Sequence, residues 1–153
     1  MKYIKICLSS FLIIPFCWLL PIKLAAQMKE KAMTTESEIR FTEGKWKDVM
    51  TRAKKSGQYI FVDAYTSWCA PCKLLKSRTF KETHAASYYN TNYINYRIDM
   101  EKGEGPKLAE KWQVSAYPTL LFFSPEGKLL MRQVGFVTGD KLIDFGKQAK
   151  TKS

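Results

Sequence analysis

Histidine occurs once in the 153 residues, at position 84, and beyond residue 26 cysteine occurs only at positions 69 and 72. A structural zinc centre takes four ligands, and this inventory falls short of four. Two cysteines cannot build a disulfide framework either, so the fold must rest on its own core. Lysine and arginine outnumber aspartate and glutamate, 25 to 14, yet they form no block of five or six. The clustered basic footprint of a nucleic-acid binder is therefore missing, and the excess reads as a solvated basic surface. No internal repeat is present. Beyond the first residues, no uncharged run approaches the length of a membrane span.

What the chain does have is the balance of one packed domain: 46% hydrophobic, 25% charged and 14% aromatic residues. Residues 1–26 stand apart. Lys2 and Lys5 precede an uncharged apolar stretch over 6–22, and Leu24-Ala25-Ala26 supplies small residues before Gln27. This is the pattern of an export signal cut after Ala26, with an uncleaved anchor as the alternative; Pro15, Pro21 and Lys23 weaken the anchor. Both readings place the remainder outside the cytoplasm. Cys7 and Cys17 belong to this leader, and Cys17, behind the bulky Phe16, does not look like a lipid-attachment cysteine. The leader carries Lys2, Lys5 and Lys23 and no acidic residue, so the formal charge of +11 falls to +8 without it. Residues 27–38 are polar without an apolar period, a flexible tether to a domain spanning 39–153.

Within that domain, Trp46, Val49, Met50 and Ala53 recur at helical spacing, predicting a helix over 45–56 that ends at Gly57. Residues 59–65 form a β-branched and aromatic run suited to a strand buried on both faces. The segment Cys69-Ala-Pro-Cys72 follows, and Pro71 suits the first turn of a helix. A second amphipathic stretch over 82–89 continues or follows that helix. Residues 92–100 read as a strand, 105–112 as a short helix, 119–123 as a strand turned at 124–127, and 128–134 as its hairpin partner. A helix over 139–150 closes the chain, with Leu142, Ile143 and Phe145 inward. The order is a βαβ half followed by a ββα half, an α/β architecture with one mixed sheet and helices on both faces.

Cysteines three positions apart at a helix N-terminus face unpaired N–H groups and a partial positive charge, which favour thiolate at Cys69. Cys72, one turn inside and expected to be more buried, suits a resolving thiol. Three uses compete. The ligand count opposes zinc, and a loop this short gains little from a structural disulfide. Redox exchange meets neither objection.

The segment Phe61-Val-Asp-Ala-Tyr-Thr-Ser-Trp-Cys-Ala-Pro-Cys-Lys73 resembles the active-site segment of the thioredoxin family, and Tyr117-Pro-Thr-Leu-Leu-Phe-Phe123 with Gly135 resembles the second half of that family's signature. The resemblance covers about 46–150 and implies the thioredoxin-like fold, with Cys69 and Cys72 as a redox-active disulfide. It also implies that Pro118 is a cis-proline beside that disulfide, where neighbouring backbone pairs with an extended substrate. Asp63 matches the buried carboxylate that moves the proton of the inner cysteine, with a pKa pushed towards neutrality. A structurally paired Asp is the alternative. Trp68 matches the aromatic neighbour that shapes the substrate surface, and Tyr117 is bulkier than the aliphatic residue common before the cis-proline. Trp46 and Trp112 read as packing residues, and His84 as a surface or helix-end residue.

One departure is Asn95, which falls where many thioredoxins carry a lysine near the Asp. The resemblance implies disulfide-containing protein substrates, no bound cofactor or metal, a monomer, and a membrane electron donor or dithiol partner that recharges the pair. Reductase is favoured because Ala-Pro between the cysteines is close to Gly-Pro. Isomerase, oxidant, cytochrome-maturation reductant and non-catalytic peptide-binding module stand as alternatives.

Overall fold

The computed structural model describes residues 37–152. The leader expected over 1–26, with Cys7 and Cys17, and all but the last two residues of the expected tether lie outside the described residues. No helix among the described residues is long and apolar enough to cross a membrane.

Helix α1, Trp46–Ser56, buries Trp46, Val49 and Ala53 along one stripe. Strand β1, Tyr59–Tyr65, has five consecutive buried residues at its centre, as a strand covered on both faces must. Helix α2, Ala70–Ser77, follows directly after the turn that carries the cysteines. Then come a 3-10 turn, Thr79–Lys81, and helix α3, Thr83–Asn92. Strand β2, Tyr93–Asp99, and helix α4, Gly105–Trp112, complete the βαβ half. Strands β3, Thr119–Phe123, and β4, Leu129–Val134, form the hairpin, and helix α5, Gly139–Lys150, closes the chain.

The four strands run in the order β2-β1-β3-β4. β1 is parallel to β2 and antiparallel to β3, which is antiparallel to β4. Because side chains alternate along a strand, β1 feeds two cores. Ile60, Val62 and Ala64 pack with Trp46 and Val49 of α1 and Leu108 and Trp112 of α4. Phe61 packs on the other face with Leu75 of α2, Tyr89 of α3 and Leu142 of α5. Trp46 and Trp112 meet edge to face at 4.9 Å between ring centres, which is their packing role.

Several local expectations are resolved or change. Of the two alternatives for residues 82–89, they follow the cysteine helix as a separate helix and do not continue it: the chain breaks at Arg78, and buried Thr79 donates its hydroxyl to the Val137 carbonyl at 2.6 Å. That long-range bond pins the break. The buried stripe of α5 is Leu142, Gly146 and Ala149, whereas Ile143 and Phe145 are only half-buried. Gly146 is there because a Cβ would stand 2.9 Å from Tyr88 Cε1 and 3.0 Å from the Tyr89 hydroxyl. Before α1, Thr42 forms an isolated parallel bridge with Tyr96, donating its N–H to the Asn95 carbonyl, so the chain skirts the outer edge of β2 where the sequence suggested no element.

Candidate active site

The site lies where the end of β1, the start of α2 and the start of β3 converge. Cys69 and Cys72 are joined by a disulfide with Cα atoms 5.3 Å apart. Cys69 occupies the N-cap of α2, and its Sγ accepts the Cys72 backbone N–H at 3.2 Å. A helix N–H aimed at that sulfur is the arrangement that favours negative charge on it once the disulfide opens. The first turn of α2 holds no acidic residue to oppose this. The expected contrast in burial is slight: Cys69 is 3% exposed and Cys72 1%. The closed disulfide tucks the outer sulfur against the helix end.

Asp63 lies on the α2 side of β1, three positions before Thr66, whose carbonyl accepts the Cys69 N–H. The carboxylate is fully buried. Its Oδ2 accepts from Arg97 Nε at 2.6 Å, while Oδ1 has no partner among the described residues. Burial pushes the Asp63 pKa up to about 6, against the lowering by the Arg97 charge and hydrogen bond. Arg97 stands opposite Asp63 in the parallel register of β1 and β2, and its guanidinium lies 4.0 Å from the Tyr65 ring centre. Asn95 does not take part. Two residues earlier on β2, it donates instead to the Arg40 carbonyl and to Asn90 Oδ1.

The Tyr117–Pro118 peptide is cis. Pro118 is buried, its carbonyl accepts the Gly135 N–H at 2.8 Å, and Thr119 beside it pairs with Ala64 near the end of β1. Trp68 is 64% exposed and sits edge to face with half-buried Tyr117 at 6.0 Å. Its indole Nε1 donates to both carboxylate oxygens of Glu101 at 3.0 Å. The disulfide is thus itself buried, while Trp68 beside it and Leu74 on α2 stand exposed. A concave pocket of about 400 Å³ beside Arg97, lined also by Lys45, Asp99 and Glu104, does not include the cysteines. His84 stands apart in the first turn of α3, exposed and 3.0 Å from Asp140 Oδ1.

The profile of the thioredoxin-like domain family matches residues 46–150. The chain belongs to the thioredoxin-like family. A solution structure from Bacteroides thetaiotaomicron, described as a candidate disulphide-isomerase, is 37% identical with a TM-score of 0.68, covering 78% of this chain and 99% of that one. The thioredoxin of Chlamydia trachomatis is 34% identical over 84 residues, 55% of this chain and 76% of that protein. The thiol:disulfide interchange protein DsbD of Pasteurella multocida is 26% identical over 103 residues, 65% of this chain but only 18% of that protein. The chain therefore spans less than a fifth of the length of the DsbD it matches.

The thioredoxin-like fold, with its βαβ and ββα halves around a mixed sheet, is the architecture observed. It brings together Cys69, Cys72, Asp63, Trp68, Tyr117 and Pro118, and the arrangement is suited to thiol–disulfide exchange. Two neighbours escaped the sequence reading, Arg97 and Glu101. For Arg97 the available signal was that it is the one cation in an otherwise apolar and polar strand; for Glu101 no local signal exists.

Proposed function

We propose that this protein reduces disulfides in other proteins outside the cytoplasm, with Cys69 as the attacking thiol and Cys72 as the resolving thiol. The observation that carries the reading is the Cys72 N–H on Cys69 Sγ at the head of α2, together with a buried carboxylate of near-neutral pKa on β1, the strand that leads into the cysteine turn.

In the dithiol form the Cys69 thiolate attacks one sulfur of the substrate disulfide. The Cys69–substrate bond forms, the substrate S–S bond breaks, and one substrate sulfur leaves as thiolate. Asp63, ionised above about pH 6, takes the proton of Cys72. The Cys72 thiolate then attacks Cys69 Sγ, which frees the second substrate sulfur. Two electrons pass from the dithiol to the substrate, and the enzyme is left with the disulfide seen here. Trp68, Tyr117 and the backbone before Pro118 form the surface on which the substrate strand rests. The exposed Trp68 beside the buried pair suits a substrate that docks on the protein surface. The leader pattern over 1–26 supports the extracytoplasmic setting, where a separate membrane or dithiol donor must re-reduce the pair.

Disulfide isomerisation is the second reading, favoured by the likeness to the Bacteroides structure. Dithiothreitol-driven reduction of insulin tests the exchange itself. Turnover by the natural protein and none by Cys69→Ser is expected; equal rates would defeat the proposal.

A further inference from the structure

Trp68 is a large apolar side chain standing 64% in solvent beside the redox pair, where packing alone does not fix its ring. What fixes it is polar. Both Glu101 oxygens lie 3.0 Å from its Nε1, and Tyr117 meets it edge to face. Glu101 is itself held. Asp99 Oδ1 accepts the Glu101 N–H at 3.0 Å, and the Met100 N–H reaches the Tyr65 carbonyl at 2.8 Å, three residues before Trp68. Gly105 closes the turn so tightly that a Cβ there would stand 2.0 Å from the Asp99 carbonyl oxygen. The turn after β2 is therefore a rigid bracket that presents one carboxylate to one indole.

We infer that Glu101 is a positioning residue for substrate docking: it clamps the Trp68 indole against Tyr117 and so builds the aromatic edge on which a protein substrate rests beside Cys69. The inference rests on the exchange reaction proposed above and concerns only its docking step. An exposed ring free to rotate must be ordered by each incoming substrate, whereas a clamped ring has met that entropy already. Loss of the clamp therefore weakens binding of the protein substrate more than it slows the chemistry at sulfur.

The test is steady-state insulin reduction by the natural protein, Glu101→Ala, Glu101→Gln, Trp68→Ala and the double variant Trp68→Ala with Glu101→Ala. Both side chains are exposed, so the variants are expected to fold, with thermal midpoints as the check. Glu101→Ala is expected to raise KM about fivefold, as loss of one exposed charge-assisted hydrogen bond implies, with kcat within about twofold. Glu101→Gln, whose amide oxygen still accepts the indole N–H, is expected to recover most of that loss. In the Trp68→Ala background Glu101→Ala is expected to add nothing. The Trp68 indole N–H resonance should move in Glu101→Ala while those of Trp46 and Trp112 stay. An unchanged KM, or a full Glu101→Ala effect in the absence of Trp68, would overturn the inference. Failure of the exchange reading would look different, with no turnover above that of Cys69→Ser in any variant.

Discussion

Replacing Arg97 with methionine removes the guanidinium that holds the Asp63 carboxylate and keeps a side chain of similar length. The consequence depends on pH in a way that can be worked out. In the natural protein burial raises the Asp63 pKa from 3.8 to about 6, so between those values the folded state holds a proton that the unfolded state has released. Stability therefore falls as pH rises from about 4 to 6, by about 3 kcal/mol at 1.36 kcal/mol per unit. With Arg97 gone, two unit charges about 4 Å apart no longer attract; at an effective dielectric of about 20 that attraction is about 4 kcal/mol, or about 2–3 pKa units.

The folded-state pKa of Asp63 in Arg97→Met should then rise further, because burial is left without the opposing Arg97 charge and hydrogen bond. Below pH 4 Asp63 is protonated whether folded or not, and the variant loses the contact with the Tyr65 ring and a neutral hydrogen bond to the Asp63 carboxyl, about 1–2 kcal/mol together. Between pH 4 and 6 the two proteins lose stability in parallel. Above about pH 6 the natural protein has finished and the variant continues to lose, so the gap widens by about 3–4 kcal/mol. Urea unfolding of the oxidised protein at pH 4, 6 and 9 measures this. A gap that stays constant across the three would refute the assignment of Arg97 as the counter-charge.

Asp63→Asn removes the proton acceptor for Cys72: resolution of the mixed disulfide should slow by about tenfold or more at pH 7, and the rise in resolution rate through about pH 6 should vanish. Rapid-quench trapping of the Cys69–substrate adduct follows this, and an unaltered pH profile would rule out the role. Cys72→Ser should accumulate that adduct as a species whose mass is the sum of protein and one substrate chain; failure to see it by intact mass spectrometry would count against Cys69 as the attacking thiol. Gly146→Ala presses a methyl group into Tyr88 and Tyr89 and should cost about 1–3 kcal/mol in urea unfolding without changing the reduction potential of the pair. A loss below about 0.5 kcal/mol would mean that α5 shifts freely, against the close packing assigned to it.

Much of the fold was legible because the signals are local: the continuous β-branched and aromatic run of β1, buried on both faces, and the i, i+3, i+7 stripe of α1 can be read without a partner. The cysteine pair, Asp63 six residues before it, and the Tyr117-Pro118 step were legible for the same reason, each being a short motif at a fixed spacing. What was not legible depends on contacts between distant segments. Arg97 meets Asp63 across 34 residues, and only the parallel register of β1 and β2 puts them side by side; a reading by alignment pointed to Asn95, which faces Arg40 and Asn90 instead. The break at Arg78 follows from the bond of Thr79 to Val137, 58 residues on. The true inward stripe of α5 was hidden because two of its members are the small residues Gly146 and Ala149, which carry little hydrophobic signal and are inside for want of space.

The reduction potential of the Cys69–Cys72 pair tests the central claim most directly. Equilibration against glutathione buffers, read by intact mass after alkylation, gives it in one titration. A reductase requires a potential near that of thioredoxin, about −270 mV, and such a value is the expected result. A potential above about −180 mV, where isomerases and oxidants lie, would contradict the account.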